Sequence, residues 1–293
     1  MLTGLFKPLS YLPLWLIHAM GGAMGWLVYF LSPRYAERTR YNLIQSRVYA
    51  DERSYQSLLR QTISEAGKSL LELFPMWLRS ERNVLGLLRE CHGWEHVNAA
   101  LTHGKGIIFL TPHMGCFEIT SLYYAARHPI TVLYRPPKLR WLEPLMLLGR
   151  KRGQVTLAPT DLKGVKLLLG ALKRGEAIGI LPDQVPSGGE GVWADFFGRP
   201  AYTMTLVGRL QKATGATILL AFAERLPLGR GYVLRIEPMP ESLPDDKVQA
   251  ATALNLAVEG LVRECPAQYL WSYNRYKVPR GVDSPPTTTH RDL

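Results

Sequence analysis

The chain has 293 residues, 47% of them hydrophobic and 20% charged, a balance that excludes wholesale disorder and allows one large domain or two modest ones. Lysine and arginine number 35 against 24 acidic residues, a formal +11 that favours anionic partners: nucleic acid, anionic head groups or an acidic protein. The three cysteines, Cys91, Cys116 and Cys265, stand far apart with no Cys-x-x-Cys pair, which excludes a disulfide scaffold or thiolate zinc knuckle and suits a reducing compartment.

From Pro8 through Pro33 run 26 residues without Lys, Arg, Asp or Glu, bounded by Lys7 and Arg34. Its apolar heart, Leu12–Leu31, would span ~30 Å as a helix, the thickness of a bilayer core. Trp15, Trp26 and Tyr29 lie toward its ends, where amphipathic rings favour the membrane interface. The run is too long for a signal peptide, and no small-x-small cleavage site follows it. We therefore expect residues 1–33 to form a membrane anchor, spanning or deeply embedded; a buried or interfacial helix is the competing reading. Arg34, Arg38, Arg40 and Arg47 follow, opposed by Glu37 alone, so the positive-inside bias places the remainder in the cytoplasm.

Residues 35–80 read as helical, with Leu58, Leu59, Ile63, Ala66, Leu70 and Leu71 at three- and four-residue spacing and Pro75 interrupting near the end. Residues 84–102 predict another helix, or two short ones around Gly93. From 105 the period changes. Gly106–Leu110 is a short buried strand, Thr111–Cys116 a loop, and a helix begins by Glu118 and reaches Arg127. Thr131–Tyr134 is the next strand. Trp141–Lys151 and Asp161–Arg174 are helices, the second capped by Asp161. Ala177–Leu181 is a strand ending in Pro182-Asp183-Gln184. Ser187–Gly191 is a flexible loop, Thr203–Thr214 a helix, Thr217–Ala223 and Tyr232–Ile236 strands, and Asp246–Glu264 a long helix. Residues 279–293 predict a disordered tail. Strands alternating with helices imply an α/β domain over 34–278, with a mostly parallel sheet and its site at the strands' C-terminal ends. His113 and Asp183 each follow such a strand.

The strongest chemical pattern is His113-x4-Glu118. Five positions apart on one helix the two side chains would diverge by ~140°. They meet only if His113 lies in the loop and Glu118 in the helix's first turn, with Gly115 turning the chain between them. A glutamate on one imidazole nitrogen would fix the tautomer and leave the other as a general base. A loop histidine beside a helix-capping glutamate gives the same spacing without any chemistry.

The order Thr111-Pro112-His113-x4-Glu118, Tyr134-Arg135-Pro136, Gly149-Arg150, Asp161-Leu-Lys-Gly164 and Leu181-Pro182-Asp183-Gln184 resembles the bacterial lipid A biosynthesis (late) acyltransferase family, within the lysophospholipid acyltransferase group. Gln268-Tyr-Leu-Trp271 with Arg275-Tyr-Lys277 is similar to that family's closing motif, so the resemblance runs from the anchor to about residue 278. It implies a glycerolipid-acyltransferase-like fold on the cytoplasmic side of the inner membrane. It implies transfer from an acyl-carrier-protein thioester to a hydroxyl of a lipid A precursor, without cofactor or metal. It makes His113, Glu118, Arg150 and Asp183 catalytic and places Arg135 near the substrate. An acyltransferase of the same group acting on a lysophospholipid or another glycolipid would share these motifs.

Between Arg135 and Arg174 stand ten basic residues, with only Glu143 and Asp161 against them. Arg135, Lys151 and Arg152 of this stretch are candidate contacts for an acidic carrier protein and for glycolipid phosphates; a solvated helix face is the plain alternative. The oxyanion of acyl transfer would be met by amides after Gly115 or by Arg150. Cys116, between the motif residues, reads as a buried small side chain rather than a nucleophile. Cys91, His92 and His96 lack the carboxylate spacing of a zinc site. No nucleic-acid-binding module accompanies the charge, so a membrane-tethered nucleic-acid binder is the remote reading.

Overall fold

A computed structural model describes residues 2–137 and 139–285. Lys138 and most of the predicted tail, 286–293, lie outside the described residues. In chain order the helices are α1 (Leu2–Ser10), α2 (Leu14–Leu31), α3 (Pro33–Ser46), α4 (Glu52–Leu71), α5 (Leu73–Leu78) and α6 (Glu81–Leu85). The sheet region follows as β1 (Leu88–His92), α7 (Trp94–His103), β2 (Ile107–Leu110), α8 (Phe117–Ala125), β3 (Ile130–Tyr134), α9 (Glu143–Arg150), β4 (Val155–Pro159), α10 (Leu162–Lys173) and β5 (Ala177–Ile180). It closes with β6 (Gly191–Phe196), β7 (Arg199–Met204), α11 (Leu206–Thr214), β8 (Thr217–Arg225), β9 (Tyr232–Pro238) and α12 (Lys247–Glu264).

Seven strands form one sheet in the order β1-β9-β8-β2-β5-β3-β4, and only the β8–β9 pair is antiparallel. The central strands β2 and β5 are buried along their whole length, as strands covered on both faces must be. One core lies on each face. Leu110, Leu168, Ile178, Phe222 and Leu261 belong to the first; Phe109, Ile119, Leu122, Leu145 and Leu219 belong to the second. Asp161 caps α10 by accepting the Gly164 N–H at 3.0 Å, the cap the sequence predicts.

Several elements differ from the sequence reading. The helix expected over 84–102 is partly strand: β1 runs parallel to β9 and precedes α7. It is a charged, half-exposed edge strand, so no apolar period marks it. The other edge, β4, is uncharged but only five residues long with Ala158 alone buried, too short a run to stand out. The predicted helix over 35–80 breaks into α3, α4 and the short α5. The loop and helix start expected from Ser187 onward contain the β6–β7 hairpin. Its turn puts both Phe197 (φ 49°) and Gly198 (φ 68°) in the left-handed region, which two-residue hairpins require. A phenylalanine there hides the turn from sequence. Its buried ring and its N–H, which donates to Glu259 at 2.6 Å, hold it in place. Residues 279–285, assigned to the tail, are tied to the body: the Trp193 indole donates to the Asp283 carbonyl at 3.2 Å.

The apolar helix α2 lies along α4. Gly21 and Gly25 meet Ile63, Gly67 and Lys68 backbone to backbone and Gly22 meets the Ser64 side chain, so closely that a Cβ at Gly25 would overlap the Ile63 carbonyl oxygen. Where α2 passes the sheet, a buried polar cluster forms. His18 Nε2 is 3.4 Å from Glu72 Oε2, Tyr232 donates to the same oxygen at 2.9 Å, and Arg225 donates to Glu72 at 2.9 and 2.5 Å. Arg225 also reaches Glu65, Ser69 and the Gly115 carbonyl. Burial pushes the Glu72 carboxyl up, but the Arg225 pair overrides it and draws it down to about 2 from an ordinary 4.5. A folded value below the unfolded one means the pair stabilises above about pH 4.5, and that support is lost as pH falls toward 2. Glu72→Gln leaves Arg225 a buried, half-paired charge and should cost about 3–5 kcal/mol. Chemical denaturation in detergent measures it. The variant's stability should also be flatter over that acid window than the wild type's.

Candidate active site

The parallel strands end along one edge, and the loops that leave it carry the candidate residues. β2 runs into Thr111–Cys116 and β5 into Leu181–Gln184, side by side: the Thr111 N–H donates to the Ile180 carbonyl at 3.0 Å. Asp183, 1% exposed, reaches across from the second loop. Its Oδ1 is 2.9 Å from His113 Nδ1, and its Oδ2 accepts the His113 backbone N–H at 2.9 Å. Burial pushes the Asp183 carboxyl up, but the charge and hydrogen bonds of His113 override this and hold it below the ordinary range. A carboxylate at Nδ1 keeps the ring proton there and leaves Nε2 as an acceptor. The Gln184 side-chain amide donates to Nε2 at 3.2 Å. Phe117 and Tyr273 flank the ring, at 5.3 and 6.0 Å between centroids.

Glu118 does not take the place expected of it. It occupies the first turn of α8, buried, and grips Arg150 at the end of α9 with both oxygens, Nε lying 3.1 and 2.9 Å away and Nη2 also bonded. A carboxylate there also faces the positive end of the helix. Burial lowers the Arg150 pKa, but Glu118 more than offsets this and raises it above its ordinary value. The four residues thus stand as two pairs, His113–Asp183 and Glu118–Arg150. The predicted His113–Glu118 contact is corrected to His113–Asp183. The reason lies in the loop after β5: Asp183 takes both the amide and the ring Nδ1 of His113, while both Glu118 oxygens are held by Arg150.

The loop is clamped from behind. Gly115, at φ +55°, donates its N–H to the Gln268 carbonyl at 3.1 Å, and a Cβ there would overlap the Ala223 carbonyl oxygen. The Cys116 N–H donates to Ala223 at 2.9 Å, and the His113 carbonyl accepts the Leu270 N–H at 3.0 Å. The Gly115 and Cys116 amides are therefore committed, which removes them from the expected oxyanion donors; Phe117 and Glu118, in the first turn of α8, follow them. Cys116 is buried, and burial pushes its thiol well up, against nucleophilic duty.

Beside the Glu118–Arg150 pair opens an apolar cavity lined by Phe117, Ser121, Val132, Leu157, Gly179 and Leu181. Sharing Thr111, Ser121 and Gly179 with it, a second chamber continues among Phe109, Tyr124, Leu234 and Ile236. Gly179, in the middle of the sheet, lines both chambers, and a Cβ there would face Val132 and Ile130 at 3.4 and 3.7 Å.

Residues 2–278 match the family described as Bacterial lipid A biosynthesis acyltransferase. The chain belongs to this family. It is 28% identical over 280 residues to the lipid A biosynthesis lauroyltransferase of Escherichia coli (strain K12), covering 93% of this chain and 89% of that protein. It is 27% identical to the lipid A biosynthesis palmitoleoyltransferase of the same organism, over 80% of this chain and 76% of that one. It is 24% identical to a lipid A biosynthesis acyltransferase of Haemophilus influenzae, over 90% and 82%. This lipid A acyltransferase is an enzyme of acyl transfer, and its fold puts the Glu118–Arg150 pair in the wall of an apolar cavity, with the His113 ring against Phe117 of the same wall.

The remaining predicted contacts divide. Arg135 is exposed past β3, where its charge reaches Tyr273. Lys151 is exposed one residue beyond Arg150. Arg152 is a correction: its guanidinium donates to the Met76 carbonyl at 3.2 Å and to the Trp77 carbonyl, fastening α9 to α5 rather than facing a substrate. Arg174 pairs with Glu176 at 2.7 Å. The basic stretch is thus smaller at the surface than the sequence implies. His92 ends β1 and His96 lies in α7, so no single helix presents the two histidines.

Proposed function

We propose that this acyltransferase moves a fatty acyl group from an acyl-carrier-protein thioester to a hydroxyl of a lipid A precursor, on the cytoplasmic side of the inner membrane and without a metal or cofactor. The observation that carries the reading is His113, fixed through ring and backbone by Asp183, with Nε2 on Gln184 and the ring against Phe117, which lines the apolar cavity. The hydroxyl displaces Gln184 from Nε2. Nε2 removes the hydroxyl proton as the oxygen attacks the thioester carbonyl. The imidazolium is stabilised by Asp183. Collapse of the tetrahedral adduct breaks the C–S bond, and the proton passes from Nε2 to the departing sulfur. The displaced Gln184 amide, with the first-turn amides of α8, supports the oxyanion. The apolar chambers receive the acyl chain.

The test pairs two donors, acyl carrier protein and coenzyme A thioesters, with two acceptors, a lipid A precursor and a lysophospholipid. Transfer from the carrier to the lipid A precursor is expected, and lipid A from cells lacking the gene should be lighter by one acyl group. Transfer to the lysophospholipid alone would favour the group's other reading. Carrier capture should weaken with salt. Changing exposed Lys151, Lys163 and Lys166 to Glu should raise KM for the carrier about tenfold at low ionic strength, with kcat retained. An unchanged KM would leave these lysines as a solvated face.

A further inference from the structure

The helix α2 is 18 residues long and apolar enough to cross a membrane. Both of its ends, however, return to the same body. Ahead of it α1 packs on α5: Phe6 stacks on Phe74 at 4.7 Å and on Trp141 at 5.7 Å. Arg79, at the end of α5, donates to the Ser10 and Leu12 carbonyls at 2.6 and 2.7 Å. Behind it, Asn42 of α3 donates to the Trp271 and Tyr273 carbonyls at 2.8 and 3.2 Å. A spanning helix would carry α1 to the far side of the bilayer and break the first set of contacts. Along its length α2 is also fused by glycines to α4, which bears Glu52, Arg53, Arg60, Glu65 and Lys68. Those charges do not enter a hydrocarbon core at acceptable cost. His18, in the second turn of α2, turns inward to Glu72.

The outward face is apolar. Trp15 is 58% exposed, Leu27 57%, Phe30 72% and Leu31 73%, and beside Trp15 the turn at Gly229 holds out Leu228, 87% exposed. Exposed Arg34, Arg38 and Arg40 follow directly, where anionic head groups would meet them.

We propose that α2 is an in-plane anchor: it lies along one leaflet with its exposed face in the lipid, and α1, α3 and the catalytic body all remain on one side. This rests on the reading of α2 as a membrane anchor and decides how it anchors.

Two measurements test it on the full chain. Cysteines are placed at exposed Lys7 and Thr102, one at a time, with Cys91 and Cys265 changed to Ser, and spheroplasts are treated with an impermeant maleimide. Both positions should label together, only after permeabilisation. Labelling of Lys7→Cys from outside with Thr102→Cys protected would mean a spanning helix and overturn the proposal. Both labelling from outside would leave the in-plane anchor standing and reverse only the proposed orientation. In the second measurement, the purified enzyme is floated with phosphatidylethanolamine–phosphatidylglycerol vesicles. Leu27→Gln, Phe30→Gln and Leu31→Gln combined should cut vesicle binding at least tenfold and leave kcat on detergent-dispersed substrate unchanged. Undiminished binding would overturn the assignment of that face. A loss of self-association without a loss of vesicle binding would make the occupant a second copy and also overturn it. Wild-type enzyme that fails to bind vesicles and washes from membranes without detergent would remove the anchor reading itself.

Discussion

Replacing His113 by alanine should lower kcat by at least ~10²-fold while carrier-protein binding survives. A general base acts in the transition state rather than in docking, and its loss typically costs ~10²–10⁴-fold. The imidazole is 2.9 Å from Asp183 and borders the apolar cavity through Phe117. Single-turnover transfer from a labelled acyl carrier protein measures the chemical step, and a pull-down with the same carrier measures docking. Cys116→Ala is the control. It removes one buried sulfur, should cost about 1 kcal/mol of stability, and should leave turnover intact. Full activity in His113→Ala, or complete loss in a folded Cys116→Ala, would overturn the mechanism.

Asp183→Asn should fall nearly as far, by ~10²–10⁴-fold in kcat. The carboxylate accepts from both the His113 backbone amide and its Nδ1, and an asparagine has only one accepting oxygen. If that oxygen stays on the amide, the new NH2 faces Nδ1 and drives the proton to Nε2, where the base must be bare. If it stays on Nδ1, the NH2 confronts the backbone N–H. Either arrangement also removes the charge that stabilises imidazolium. Glu118→Gln should behave differently. It loosens Arg150 at the cavity wall, so a raised KM and a loss of about 1–3 kcal/mol in stability are expected, with the pH dependence of kcat retained. Combining His113→Ala with Asp183→Asn should add little to the worse single change, because the two act as a unit. Combining His113→Ala with Glu118→Gln should be closer to additive. The reverse pattern would return Glu118 to the role first expected of it.

The buried strands, the His113 loop and the start of α8 were legible in the sequence because each carries a local signal: an apolar run, a turn glycine, a helix face. The partner of His113 was not. The choice between Glu118 and Asp183 depends on how β2 and β5 align, and no spacing within one segment encodes that register. The charged edge strand β1 gave no apolar period, β4 was too short to stand out, and Phe197 concealed a hairpin turn. Gln184 and Gln268 stood inside recognisable motifs, but their contacts are long-range. Other signals were present and unused. His18 lies in an uncharged stretch and Glu72 between leucines; isolated polar groups in apolar runs must find one another, and here they do so directly, with Arg225 as the second partner of Glu72.

The clamp behind the loop also sets an order of events during synthesis. The strand that delivers His113 leaves the ribosome long before Gln268 and Leu270, the residues whose backbone fixes the Gly115 amide and the His113 carbonyl. Domains assemble as their segments emerge, so a nascent chain can carry α2 to the lipid while its catalytic loop still lacks a backing. Acyl transfer therefore begins only when the final quarter of the polypeptide has docked. A ribosome-stalled chain ending before Gln268 should be membrane-bound and inert, and the whole chain followed by a linker long enough to clear the exit tunnel should turn over.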